Sequence, residues 1–181
     1  MPIKLEEPHI RLIKSGAFTV FGRDKFYRPV IIVKPLIFNN LGFEWNNDDL
    51  MLAVSYSIFY TRNHMMQEGK VENFSCIFDL EHAQPWSLPI KSMQTFSAGI
   101  STQFRCFSCR LYVVNACKAF VWSWKVISSC LNEIQRRKTL LTGENTHDDI
   151  KLNIPQHFLF KEYGGTADRP ENSWPPTIPS I

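Results

Sequence analysis

The sequence predicts an α/β fold with a mainly parallel β-sheet and helices packed against it. Short apolar runs of strand character alternate along the chain with longer segments that keep helical spacing, which is typical of βαβ units. The run Pro29–Pro35 is rich in β-branched residues and bracketed by prolines, as expected for a strand buried on both faces. With 181 residues, 44% of them apolar, the chain is long enough for one domain with a substantial core.

Each element is predicted from its hydrophobic period and from the turn residues beside it. In chain order the elements are a helix over Glu6–Ser15, strands over Ala17–Phe21 and Pro29–Pro35, a helix over Asp48–His64, a strand over Phe74–Leu80, a helix over Leu88–Phe104, a strand over Leu111–Asn115, a helix over Phe120–Leu131 and a strand over Lys138–Leu141. The segment Ala167–Ile181 contains four prolines and no periodicity, so we expect a loosely attached tail.

Composition and charge exclude several classes of protein. A net charge of +3 is too weak to indicate a nucleic-acid partner. No stretch approaches the roughly 20 apolar residues that a membrane-spanning helix needs, and the N-terminus lacks the apolar core of a signal peptide. We therefore expect a cytoplasmic protein. Its five cysteines are an odd number without a secretory signal, so free thiols are expected.

The predicted helix Phe120–Leu131 has an unusually wide apolar surface. Phe120, Trp124, Ile127 and Leu131 recur at helical spacing on one face, and Trp122 widens that face sideways. Two interpretations remain open at this point. The helix packs onto a sheet, which the residues alone favour, or it forms a movable lid over an apolar cavity.

A basic run, Arg136 to Lys138, follows this helix directly. It could neutralise a phosphate or an anionic membrane surface, but cations near a helix C-terminus also offset the helix dipole. The residues alone slightly favour the second role.

No catalytic or metal site is predicted. Cys106 and Cys109 have the spacing of a metal or redox pair, but no second pair accompanies them and they precede a strand rather than a helix. His147, Asp148 and Asp149 lie in a polar run, Gly143–Lys151, and are better interpreted as the start of a helix than as a metal or acid-base cluster. The sequence contains no nucleophile elbow, phosphate-binding loop or dinucleotide fingerprint, so we do not expect an enzyme.

Three motifs in order, Gly22–Pro35, Leu111–Ala116 and Lys161–Thr166, resemble those of the CRAL-TRIO lipid-binding domain family. That family includes phosphatidylinositol and phosphatidylcholine transfer proteins and carriers of tocopherol and retinaldehyde. The resemblance implies a parallel-sheet floor, an apolar pocket above it and a helical gate, formed here by Ala116–Leu131. It implies a bound lipid in place of a cofactor.

The resemblance also implies site residues. Those expected at the lipid headgroup are Arg136, Arg137, Lys138 and Lys161. Those expected at the lipid tail and gate are Phe120, Trp124, Ile127, Leu131, Phe96 and Ile100. The domain is expected to span residues 1–166 without the family's usual N-terminal helical segment, followed by the proline-rich tail 167–181.

The leading hypothesis is a carrier that binds a phospholipid such as phosphatidylinositol, visits membranes transiently as a peripheral protein, and transfers or presents its lipid there. The alternative is a non-transferring module that senses phosphoinositides or binds a protein partner, with its pocket filled by its own aromatic side chains. A thiol enzyme using Cys106 and Cys109 is a third and weaker hypothesis, since no partner base is evident. The sequence does not determine the oligomeric state.

Overall fold

A computed structural model describes residues 4–84, 86–87, 94, 98, 102, 108–128, 131, 133–143 and 148–176. Its centre is a five-stranded sheet in which the strands lie side by side in chain order. They are β1 (Phe18–Arg23), β2 (Pro29–Val33), β3 (Phe74–Asp79), β4 (Ser108–Ala116) and β5 (Thr139–Gly143). Strand β1 pairs antiparallel with β2, and every later pair is parallel. The mainly parallel sheet predicted from the sequence is confirmed.

Five α-helices flank the sheet in the described part of the chain. They are α1 (Glu7–Lys14), α2 (Asn47–Met65), α3 (Lys118–Ile127), α4 (Glu133–Lys138) and α5 (Asp148–Asn153). Short 3-10 helices cover Pro35–Asn40, Gln156–Phe158 and Lys161–Tyr163. Of the predicted helix Leu88–Phe104, all but three residues lie outside the described residues, and so do Phe96 and Ile100.

Two predicted boundaries are corrected around α4. Helix α3 ends at Ile127 rather than Leu131, and Lys138 closes α4 rather than opening β5. The basic run is therefore the last turn of a helix, where cations interact favourably with the helix dipole. Arg137 also pairs with Glu133 one turn earlier, an additional local stabilisation of this short helix.

Helix α2 closes one face of β1 and β2. Asn46 caps its first turn by accepting hydrogen bonds from the backbone of Asp48 and Asp49. Its apolar side chains pack on the sheet, and the cavity left between α1, α2 and β1 has a volume of about 10 Å³, no larger than one water molecule. This cavity has no room for a ligand.

Helix α5 and the 3-10 turns after it close the opposite face. Ile150, Ile154 and Tyr163 are fully buried against β2, β3 and β4. The Tyr-Gly-Gly motif has a steric explanation here. Gly164 takes a φ of +80°, and a Cβ on Gly165 would overlap the carbonyl oxygen of Leu159.

The segment after residue 166 is attached to the domain, at least to Pro176. Ala167 donates its backbone N–H to the Leu159 carbonyl at 3.1 Å, and Arg169 pairs with Glu162. Farther along, Trp174 packs against Tyr60 of α2 with ring centroids 4.7 Å apart. The loosely attached tail predicted from the prolines is therefore wrong for residues 167–176.

Substitution of Trp174 measures how much the attachment of this segment stabilises the domain. Trp174→Ala is expected to lower the free energy of unfolding by about 1–2 kcal/mol, because a half-buried aromatic contact with α2 is lost. Denaturant unfolding measures the change. The exposed Trp86→Ala is the matched control, and an equal effect of both substitutions would show that the contact does not stabilise the domain.

Candidate functional site

A one-sided apolar floor is formed by β3, β4 and β5. Partners on adjacent parallel strands point to the same face, and the register places Cys76 beside Leu111 and, in the next row, Phe78 and Leu141 on either side of Val113. Of these five side chains, Val113 alone is buried, and the other four are half-buried. The floor therefore keeps accessible apolar surface inside the fold.

Where the same two rows of side chains continue onto β2, they are buried. Ile31, beside Cys76, and Val33, beside Phe78, are 1% and 4% exposed beneath α2. On this face, burial is therefore complete on β2 and partial on β3, β4 and β5, with Val113 the exception, whereas Tyr112 and Val114 on the other face of β4 are buried.

Helix α3 contacts β4 and β5 and places large side chains at the floor. Phe120 is 1% exposed and packs with Val113 and Ala116, and Trp124 is half-buried at the same cluster. Trp122 points the other way and is 89% exposed. The helix thus has an inner face on the floor and an apolar side chain in solvent.

The thiol of Cys76 is part of this apolar floor. Burial raises the pKa of the thiol to about 12, so it stays protonated and uncharged at neutral pH. Its side chain is half-buried and lies beside Ile31 and Leu111 in the sheet. Cys76 therefore adds no charge to the floor.

A buried polar cluster centred on Asp79 lies at the carboxyl ends of the strands. The Asp79 side chain is fully buried and accepts hydrogen bonds from the Tyr163 hydroxyl at 2.7 Å, the Asn115 amide at 2.8 Å and the Glu81 backbone N–H at 2.9 Å. The oxygen atom that accepts from Tyr163, Oδ2, also contacts the Lys34 ammonium at 3.1 Å. Lys34, Asp79 and Asn115 come from the ends of three neighbouring strands.

Electrostatics hold the central pair of this cluster in its charged form. Burial by itself would raise the pKa of Asp79, but hydrogen bonds from Tyr163 and Asn115 together with the Lys34 charge lower it. Burial would likewise lower the pKa of Lys34, and the charge of Asp79 and its hydrogen bond outweigh that effect and raise it. The cluster is a saturated ion pair whose partners all come from the protein.

Comparisons with known proteins agree with this architecture. A family model described as the CRAL/TRIO domain matches residues 13–165, most of the chain. The chain belongs to the CRAL/TRIO family. Among solved structures, the crystal structure of Sfh5 superposes with a TM-score of 0.67 at 10% sequence identity, a likeness in fold. The match covers 88% of this chain and 60% of Sfh5, so the chain spans less than two thirds of that protein.

Within this CRAL/TRIO domain, the predicted tail-facing residues are partly located. Phe120 and Trp124 lie at the floor, and Leu131 is half-buried just beyond α3; their contact with a lipid tail stays a prediction. The side chain of Ile127 lies outside the described residues, as do Phe96 and Ile100.

The predicted headgroup residues do not form one group. Arg136 is exposed, and its guanidinium lies 3.4 Å from the Ser128 carbonyl oxygen. The Lys138 ammonium donates a hydrogen bond to the Ser108 carbonyl at 2.8 Å. Both side chains therefore lie at the edge where the parallel strands begin. Arg137, 78% exposed, pairs with Glu133 on the same helix. Lys161 lies beside the strand ends instead, paired with Asp168 at 2.7 Å. The structure thus separates Lys161 from the other three.

Sequence reasoning missed the Asp79 cluster of the CRAL/TRIO domain. The sequence does contain a signal for this cluster, because a polar residue stands at the end of each of three apolar strands. These residues are Lys34 after Val33, Asp79 after Phe78 and Asn115 after Val114. Because parallel strands end at one edge of a sheet, those three residues had to be neighbours.

Two further findings limit the chemistry of the site. In the ranges given above, no helix has both the length and the apolar content that a bilayer crossing requires. Nor do those residues contain a group of three His, Cys, Asp or Glu side chains placed to bind a metal ion.

Proposed function

We propose that this protein binds a hydrophobic lipid, a phospholipid such as phosphatidylinositol, between the β3–β5 floor and α3, and transfers or presents it at membranes. The half-buried floor beneath α3 is the observation that carries the proposal. Folded domains rarely leave apolar side chains accessible inside the fold, because interiors are closely packed. A ligand of apolar chemistry would complete this interior.

The free energy available from a lipid tail is large. Burial of each methylene contributes about 0.8 kcal/mol, so one long acyl chain supplies ample affinity without any charged contact. The two rows of the floor on β3, β4 and β5 contain no charged side chain. Their only polar groups are the thiol of Cys76 and the hydroxyl of Thr139. The floor thus suits a tail and excludes a headgroup.

The headgroup would then lie at an edge of the floor. The edge where the strands begin carries Arg136, Arg137 and Lys138, whose charges favour an anionic phosphate. At the other edge, Lys161 stands near Asp168 and Glu162. We therefore assign the phosphate to α4 and give Lys161 a secondary role.

Helix α3 is the proposed gate. It connects to the sheet through residues 115–117, where Asn115 takes a φ of +56°, and its outer face exposes Trp122. Contact of an exposed indole with the interfacial region of a bilayer, where indoles are enriched, would favour an outward position of the helix.

A transfer assay tests the proposal. The purified protein is mixed with donor vesicles that contain fluorescent phosphatidylinositol or phosphatidylcholine and with unlabelled acceptor vesicles. We expect labelled lipid to move to the acceptors at a rate proportional to protein concentration. If the protein neither transfers nor extracts phosphatidylinositol, and does the same for phosphatidylcholine, the carrier function is refuted.

The packing of Phe120 favours one specific alternative. Because this ring is fully buried on the floor, aromatic side chains could fill the whole space, and the domain would then be a non-transferring module that senses phosphoinositides or binds a protein partner. Vesicle binding without extracted lipid would support that function.

A further inference from the structure

The turn between β1 and β2 exposes two adjacent aromatic side chains. Phe26 is 62% and Tyr27 is 61% exposed, and they stand at the tip of the hairpin. Neither is needed to fill the core. Two neighbouring aromatic rings in water are an unfavourable arrangement unless another surface covers them.

The turn is built to hold these rings outward. Tyr27 takes a φ of +61°, a conformation that is strained for an aromatic residue. Asp24 fixes the loop, since its carboxylate accepts the backbone N–H of Phe26 at 2.8 Å and of Arg28 at 3.0 Å. Arg23, itself buried, donates to the Tyr27 carbonyl at 2.7 Å. Strain retained at an exposed position indicates a function for the presented side chains.

This turn belongs to the same edge of the sheet as α4. Arg28 reaches the Cys109 sulfur at 2.8 Å, and Lys138 reaches the adjacent Ser108 carbonyl. The hairpin and α4 therefore flank the first residues of β4. Ile134, 65% exposed on α4, adds apolar surface there.

The edge also carries an excess of positive charge. We count the described residues of the β1–β2 turn, the α2–β3 loop, the first three positions of β4, and α4. The basic ones are Lys25, Arg28, Lys70, Arg110, Arg136, Arg137 and Lys138, and the acidic ones are Asp24, Glu68, Glu72 and Glu133. Asp24 and Glu133 are already paired with arginines of the same set. Positive charge therefore remains for an external anion.

We propose that this edge, led by Phe26 and Tyr27, docks the protein on an anionic bilayer surface. Aromatic rings settle at the level of the lipid headgroups, and basic side chains around them are attracted to anionic lipids. The inference rests on the proposed function for its choice of a bilayer as the partner. It adds a docking surface that is separate from the floor and from α3.

Sedimentation with vesicles tests this surface. The protein is mixed with vesicles of phosphatidylcholine, with or without phosphatidylserine, at low and high salt. We expect binding that requires phosphatidylserine and weakens with salt. Phe26→Ser combined with Tyr27→Asn should weaken binding about tenfold, because exposed rings are removed and asparagine tolerates the positive φ.

Controls separate this inference from the proposed function. Trp86→Ser removes a more exposed ring, 79% accessible, beyond the opposite edge and should leave vesicle binding unchanged. Mass spectrometry should find the same bound lipid in the hairpin double variant as in the wild type, since the floor is intact. Unchanged vesicle binding by the double variant would overturn the inference, as would wild-type protein that ignores anionic vesicles.

Discussion

Substitution of Cys76 by tryptophan is expected to abolish lipid binding while the protein remains folded. The indole would project from the middle of the floor, beside Leu111, into the volume that the proposed function assigns to the lipid tail. Extra bulk is usually destabilising in a packed core, but Cys76 is half-buried rather than fully buried. The side chain should therefore occupy the volume of the lipid tail rather than disrupt the sheet.

Lipid extraction from labelled vesicles measures the effect, with thermal unfolding as the test of folding. We expect extraction to fall at least about tenfold, since several methylenes lose their burial. Leu152→Trp adds a comparable ring at an exposed position of α5, on the opposite face of the sheet, and should extract lipid normally. If Cys76→Trp extracted lipid as well as that control, the ligand would not lie over β3.

Asp79→Ala is expected to cause the largest loss of stability, about 3–5 kcal/mol. The substitution removes the carboxylate closest to the Lys34 ammonium, which then keeps only the more exposed Glu162 at 3.2 Å and Glu81 at 3.4 Å. It also removes the carboxylate that accepts hydrogen bonds from the Tyr163 hydroxyl and the Asn115 amide. Each buried polar group without a partner adds a desolvation penalty.

Two further variants provide reference values for this loss of stability. Tyr163→Phe removes one hydroxyl and keeps the ion pair, so we expect a loss of about 1–2 kcal/mol. Asp168→Ala removes an exposed carboxylate and should change stability by less than about 0.5 kcal/mol. Urea unfolding measures all three. Equal stabilities of the Asp79 and Asp168 variants would show that the cluster does not hold the C-terminal segment.

The same pair determines the pH dependence of stability. Because the pKa of Asp79 is lowered by folding, its contribution is complete above the unfolded value of about 3.9 and is lost as pH falls through the folded value. Because the pKa of Lys34 is raised, its contribution is complete below about 10.4 and is lost as pH rises through the folded value. Wild-type protein should lose these contributions at both ends of the scale, and Asp79→Ala should show a flatter profile.

The sheet could be predicted from the sequence because its strands are locally encoded. The β-branched run at β2 and the capped, periodic helix α2 specify their own conformations before any tertiary contact forms. The end of α3 and the assignment of Lys138 were wrong because the basic run suits either a turn or a helix C-terminus. Only the pairing of Lys138 with the start of β4 distinguishes them.

The candidate site could be predicted less well, since it depends on contacts between distant residues. Helical spacing predicted that Phe120 and Trp124 share one face, and both pack at the floor. Lys161 was expected to meet a phosphate, and its pairing with Asp168 depends on how the segment after the Tyr-Gly-Gly motif folds back. The Asp79 cluster joins residues from three strand ends, so it follows from strand register rather than from local pattern.

Native mass spectrometry of the purified protein tests the central claim most directly. The claim is that the space between the β3–β5 floor and α3 holds a lipid. It predicts that the folded protein carries one lipid molecule per chain, released on unfolding, and that Cys76→Trp carries none. Wild-type protein that is folded and free of lipid, and that gains none after incubation with phospholipid vesicles, would contradict it.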